Sequence, residues 1–123
     1  MESIEREQRL IRILHEIGIP SHLSGFKYIL ECINYLLEHD MCTRCITTKV
    51  YPAVANKFNT RKECVEKNIR DAIDVGFTSG RGNIEYRDGL FGSSLNYETA
   101  KPTNTEFIVT IVSELLLEIK IKD

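Results

Sequence analysis

Residues 60–74 read TRKECVEKNIRDAID, and their charges sort onto one side of a helix. Val65, Ile69, Ala72 and Ile73 recur at three- and four-residue spacing and form an apolar stripe. Glu63, Glu66, Lys67, Arg70, Asp71 and Asp74 take the opposite face. Two chemistries suit such a face. Basic side chains on an exposed helix can donate to guanine O6 and N7, and a glutamate can accept from cytosine N4. The same charges can instead pair with one another, Glu63 with Lys67, Glu66 with Arg70 and Arg70 with Asp74, at the i,i+4 spacing that supports a solvated helix. Arg61 and Lys62 add a further signal. They stand in the first helical turn, where the dipole disfavours cations but free N–H groups favour anions, so cations there suit a nearby phosphate.

The other residues capable of chemistry are four cysteines and three histidines. His39, Cys42 and Cys45 have metal-like spacing, and Cys64 could supply a fourth ligand. A single Cys-x-x-Cys in a connector is a weak zinc signal, and no βαβ pattern surrounds it to suggest a redox site. Cys32 falls on an apolar helix face and reads as a small core residue. His15, His22 and His39 are scattered and carry no nucleophile arrangement. No Gly-rich phosphate loop precedes a helix, and GRGN near residues 81–83 reads as a turn. The expectation is no enzyme, no catalytic residue, no cofactor, no bound metal and no small-molecule substrate.

In chain order, residues 51–77 read as two helices with a tight turn. Pro52 suits a first helical position. Val54, Ala55 and Phe58 make a short apolar face. Asn59 tolerates the left-handed conformation of a helix end. Thr60 with Glu63 reads as a capping box for the longer helix. A short helix, a turn and a longer amphipathic helix form the helix-turn-helix pattern; the alternative is an ordinary helical hairpin. Upstream, residues 3–17 predict a helix with Ser3 as N-cap, Ile4, Leu10, Ile11 and Leu14 on its apolar side, and Gly18 ending it. Residues 21–38 predict a second, with Phe26, Ile29, Leu30, Ile33, Leu36 and Leu37 inward and its start free to slip past Gly25. Residues 39–49 form a connector with a helical turn near 46–50. Residues 84–91 predict a short helix ended by Gly92, and 93–101 a polar surface loop. Thr103 or Asn104 caps a last helix, 105–119, with Phe107, Ile108, Ile111, Val112, Leu115 and Leu116 inward and a fraying tail. The class is all-α, about five to six helices in one domain over residues 1–123, with the helix-turn-helix at about 51–77.

Several stretches together resemble the DNA-binding effector domain of the sporulation response regulator family, stage-zero sporulation protein A. They are ITTKVYPAVANKFNTRKECVEKNIRDAIDV, HEIGIP near the start, GNI at 82–84, LFG at 90–92 and AKPTNTEF at 100–107, in the family's order. The resemblance runs from about His15 to Glu118. It implies an all-helical domain that binds DNA and regulates transcription in endospore-forming bacteria. Where the family reads base edges, this chain keeps Glu66 and Arg70, and Lys67 replaces an arginine. These three are the candidate base readers. Cys64 also replaces an arginine, and Asp71 a histidine. Lysine donates to guanine without arginine's fixed fork, and Asp71 carries negative charge toward a phosphate backbone. Candidate phosphate contacts are Arg61 and Lys62, Thr48 and Lys49 ahead of the motif, and Lys101 and Asn104 from the matched KPTN. The family has a lysine at Thr48, so the charge here is moved by one residue, to Lys49. The family also has a phosphoacceptor receiver domain ahead of its effector domain; this chain begins almost where the effector would, so a stand-alone effector without the phosphorylation switch is expected.

Composition bounds the rest. The chain has 123 residues, 42% hydrophobic and 28% charged, which suits one domain with a hydrophobic core. No apolar run approaches the ~20 residues of a transmembrane helix, and the charged leader is no signal peptide. A soluble cytoplasmic protein with reduced thiols is expected. Net charge is −2 and the pI about 5.9, a poor global footprint for a DNA binder, although local patches override net charge. The expected partner is double-stranded DNA, with homodimer or tandem assembly on it left open. The rival is a protein-interaction module of the same fold with weakened or lost DNA binding; Cys64, Lys67, Asp71 and the acidic balance favour it.

Overall fold

Helix ends follow the stop signals closely. The computed structural model describes residues 2–39, 45–92 and 101–122. α1 spans Ser3–Ile17, α2 Ser24–His39, α3 Tyr51–Lys57, α4 Lys62–Thr78, α5 Ile84–Phe91 and α6 Asn104–Lys122. A π-helical turn, Ile46–Val50, runs directly into α3. The protein is all-α, with no strand among the described residues. The sequence-expected loop at 93–100 and residue Cys42 lie outside the described residues.

Gly18 ends α1 at φ 105°. The Ile19 amide reaches back to Leu14 O and the Gly18 amide to His15 O, the paired bonds of a Schellman end. A Cβ on Gly18 would meet Gly82 N at 2.8 Å, so the glycine also admits the turn before α5. Asn83 N donates to Glu16 O at 2.7 Å and fixes that approach.

The core joins α1, α2, α4 and α6. Leu10, Ile13 and Leu14, Ile29, Cys32 and Ile33, Val65 and Ile69, and Phe107, Ile108, Ile111 and Leu115 are fully buried. α2 lies on α4 at Gly25, where an added Cβ would meet Asn68 O at 2.1 Å and Ala72 Cβ at 2.6 Å. Gly25 therefore sits inside α2, buried, despite its helix propensity, because only a hydrogen fits between the helices. Phe77, Phe91 and Phe107 cluster where α4, α5 and α6 meet, with Phe91 stacked on Phe107 at 5.1 Å.

Five local expectations are corrected. Glu2, not Ser3, is the N-cap of α1, and no side chain caps it. Ile4 is 71% exposed, one turn beyond the part of α1 that the other helices cover. α2 starts at Ser24, not at 21. Leu116 is 51% exposed, because the buried row Phe107, Ile108, Ile111, Val112, Leu115 puts position 116 roughly 100° from its centre. The last helix does not stop at 119 but continues to Lys122.

Candidate nucleic-acid interface

The π turn and α3 set the first edge of the site. Ile46 and Val50 are buried, which turns Thr47, Thr48 and Lys49 outward to solvent. Pro52 lies in the first turn of α3, where a missing N–H costs nothing. Val54 and Ala55 anchor α3, and Phe58 meets Tyr28 of α2 edge-on at 5.4 Å.

Asn59 makes the turn into α4. Its φ is +54°, the one non-glycine residue with positive φ among those described. Thr60 N donates to Ala55 O and Asn59 N to Asn56 O, so α3 ends in a Schellman motif. This geometry displaces the expected capping box. Thr60 is spent in the turn, Arg61 becomes the N-cap of α4, and no side chain caps that end.

α4 then divides as its pattern requires. Val65, Ile69, Ala72 and Ile73 are at most 2% exposed, while Arg61, Lys62, Glu63, Glu66, Lys67, Arg70 and Asp71 are all exposed. None of the i,i+4 ion pairs Glu63–Lys67, Glu66–Arg70 or Arg70–Asp74 forms. The three base-reading candidates thus present uncommitted polar ends on one exposed face.

The structure gathers part of the candidate set and separates the rest. Glu66 and Arg70 line a groove of about 480 Å³ with Thr47 and Tyr51 on one side and Lys101, Thr103 and Asn104 on the other. Arg61 and Lys67 line a second recess, about 450 Å³, with Thr60, Glu63, Cys64 and Asn68. Thr48 and Lys49 stand on the outer side of the π turn, and Lys62 on the first turn of α4; none of the three lines either groove.

The start of α6 is tied to α4. Thr103 Oγ1 accepts from Glu106 N at 3.2 Å and caps α6. Asn104 Nδ2 donates to Glu66 O at 2.9 Å. Lys101 Nζ pairs with Asp74. Of the two expected phosphate contacts here, Asn104 is engaged with the α4 backbone, and the charge of Lys101 is met by a carboxylate. Tyr51 lies beneath, its hydroxyl pushed up to about 12 by burial and partly held back by the hydrogen bond from Asn104.

One contribution, Arg87, carries no sequence signal. Arg87 of α5 lies over the Phe77 ring at 4.9 Å and donates to Phe77 O at 3.2 Å. It satisfies a terminal carbonyl of α4 and sets that end of the helix, in a contact made only once α5 folds back. Cys64 of α4 is half-buried, and its Sγ accepts from Asn68 Nδ2 at 3.3 Å.

The metal-like set includes Cys42, which lies outside the described residues. No group of three His, Cys, Asp or Glu among the described residues could hold a metal ion. His39 stacks on Tyr35 at 4.1 Å, and Cys32 is buried, its thiol pushed up to about 12 by that burial. No helix among the described residues is long and apolar enough to cross a membrane.

One comparison bears on this site. Residues 10–115 match the family described as sporulation initiation factor Spo0A C terminal, and the match spans α1 to α6 with the whole helix-turn-helix inside it. That family is one of DNA-binding effector domains of transcription regulation in sporulation. With most of the chain matched and the all-helical fold in place, the protein belongs to the Spo0A C-terminal domain family.

Proposed function

We propose that the chain is one effector-type domain that binds duplex DNA sequence-specifically, with α4 in a major groove, and thereby regulates transcription. Glu66, Lys67 and Arg70 read base edges; Arg61, Lys62, Thr48 and Lys49 hold phosphates. Lys101 and Asn104 act chiefly by fixing α6 against α4. The observation that carries this reading is the state of the α4 face: seven charged residues, Arg61 to Asp71, are exposed and unpaired with one another, above a stripe at most 2% exposed.

A second reading is a protein-interaction module. It is favoured by Asp71 on the reading face and by Leu116 and Leu117, 51% and 54% exposed on α6. Titration of labelled duplexes at two salt concentrations separates the two. DNA readout requires binding that weakens steeply with salt and differs between sequences. Absence of salt-dependent binding at low ionic strength, with none produced by Lys67→Arg or Asp71→His, leaves the interaction module in its place.

A further inference from the structure

Lys27 of α2 lies outside the helix-turn-helix, yet the fold brings it to the turn between α3 and α4. Its Nζ is 5.0 Å from the Phe58 ring centroid and 5.5 Å from that of Tyr28. Phe58 immediately precedes the left-handed Asn59, three residues before the cap of α4. Tyr28 reaches the same end of α4 through its contact with Cys64. The two rings thus hold an exposed ammonium beside the end of α4 that carries Arg61, Lys62 and Lys67.

Charge makes this placement informative. Lys57 also lies over Phe58, at 6.0 Å, and its charge is met by Glu31 at 2.9 Å. Lys27 has no ion pair among the described residues. A cluster of cations that its own acids do not neutralise is matched by an external anion. The first turn of α4 also carries Glu63, but Arg61, Lys62, Lys67 and Lys27 outnumber it, so the α3–α4 turn keeps a net positive charge.

We propose that Lys27 is a further phosphate contact, extending the DNA-binding surface from the helix-turn-helix onto α2, with Tyr28 and Phe58 presenting its ammonium to the backbone. The rings restrict a flexible side chain before binding, which lowers the ordering cost of the contact. Lys27 carries no base specificity in this role. The proposal rests on the DNA reading given above.

The test compares the parent chain, Lys27→Met, Lys27→Arg and Arg61→Ala by titration of labelled duplex over a range of salt, with Tm measured for each. Methionine keeps contact with both rings and removes the charge; arginine keeps charge and stacking. Lys27→Met should weaken preferred and random duplexes equally, several-fold at low salt, and reduce the slope of log K against log salt by about 0.9. Its Tm should be unchanged, and Lys27→Arg should restore the parent slope. If Arg61→Ala lowers the slope and Lys27→Met does not, Lys27 is no contact while DNA binding stands. A fall in Tm with an unchanged slope overturns the proposal in favour of turn packing alone. No salt-dependent binding by the parent removes the DNA reading and this proposal together.

Discussion

The side-chain amide of Asn104 donates to the backbone carbonyl of Glu66 at 2.9 Å, across 38 residues of sequence. This bond fastens the start of α6 to the middle of the helix whose outer face carries the base-reading candidates. Asn104→Ala should cost about 1 kcal/mol of stability, the usual worth of one such bond. It should weaken DNA binding without changing the salt slope, because no charge is lost. Urea denaturation with duplex titration measures both; weaker binding with unchanged stability would show instead that Asn104 contacts DNA directly rather than fastening α6 to α4.

Gly25 tests the crossing of α2 over α4. Intrinsic propensity favours alanine over glycine inside a helix by about 1 kcal/mol. The contact opposes it, since the new Cβ would lie 2.1 Å from the Asn68 carbonyl oxygen, a backbone atom that cannot swing aside. Overpacking of this kind typically costs about 1–3 kcal/mol, so Gly25→Ala should be net destabilising by about 1–2 kcal/mol. A stabilised Gly25→Ala in urea denaturation would mean that the two helices are farther apart.

Tyr51 gives the fold an alkaline dependence. Burial raises its hydroxyl from 10 to about 12. The folded state therefore binds this proton more tightly than the unfolded state does. Its contribution to stability is complete below pH 10 and is lost as pH rises from 10 toward 12. Thermal unfolding between pH 8 and 12 should show a shallower alkaline decline for Tyr51→Phe than for the parent; identical profiles would mean that Tyr51 is solvated.

The elements were largely legible in the sequence, and their mutual contacts were not. Apolar spacing marks the stripe of α4, and Gly18 and Asn59 mark two ends, because helix period and left-handed caps are local properties. The N-caps of α1 and α4 differ by one residue from the sequence expectation because no side chain caps either end, so capping chemistry gives no guide and the backbone turn sets the start. Leu115 and Leu116 are chemically alike, so the sequence does not separate them, and only packing fixes which of them points in. The role of Gly25 required knowing which helix lies over it. At the site, the face of Glu66, Lys67 and Arg70 followed from periodicity and resemblance together. The Asp74–Lys101 pair and the Asn104–Glu66 bond span 27 and 38 residues, so no local pattern encodes them.

Asp71 isolates the electrostatic part of the reading face. It is exposed on α4, and no ion pair among the described residues neutralises it. If α4 lies in the major groove as proposed, Asp71→His removes a negative charge near phosphate and should strengthen duplex binding, more at low salt than at high. Unchanged affinity in labelled-duplex titration would place Asp71 away from the backbone.

Selection of bound sequences from a random duplex library tests base readout by α4 most directly, run at low and physiological salt on the parent, Lys67→Ala and Arg61→Ala. The parent should enrich a defined motif. Lys67→Ala should lose preference at one base position, at a cost of about 1–3 kcal/mol on the preferred site. Arg61→Ala should enrich the same motif more weakly, with a salt slope lower by about one. A parent that enriches no sequence at either salt, or a Lys67→Ala profile identical to the parent's at every position, would contradict base readout by this face of α4.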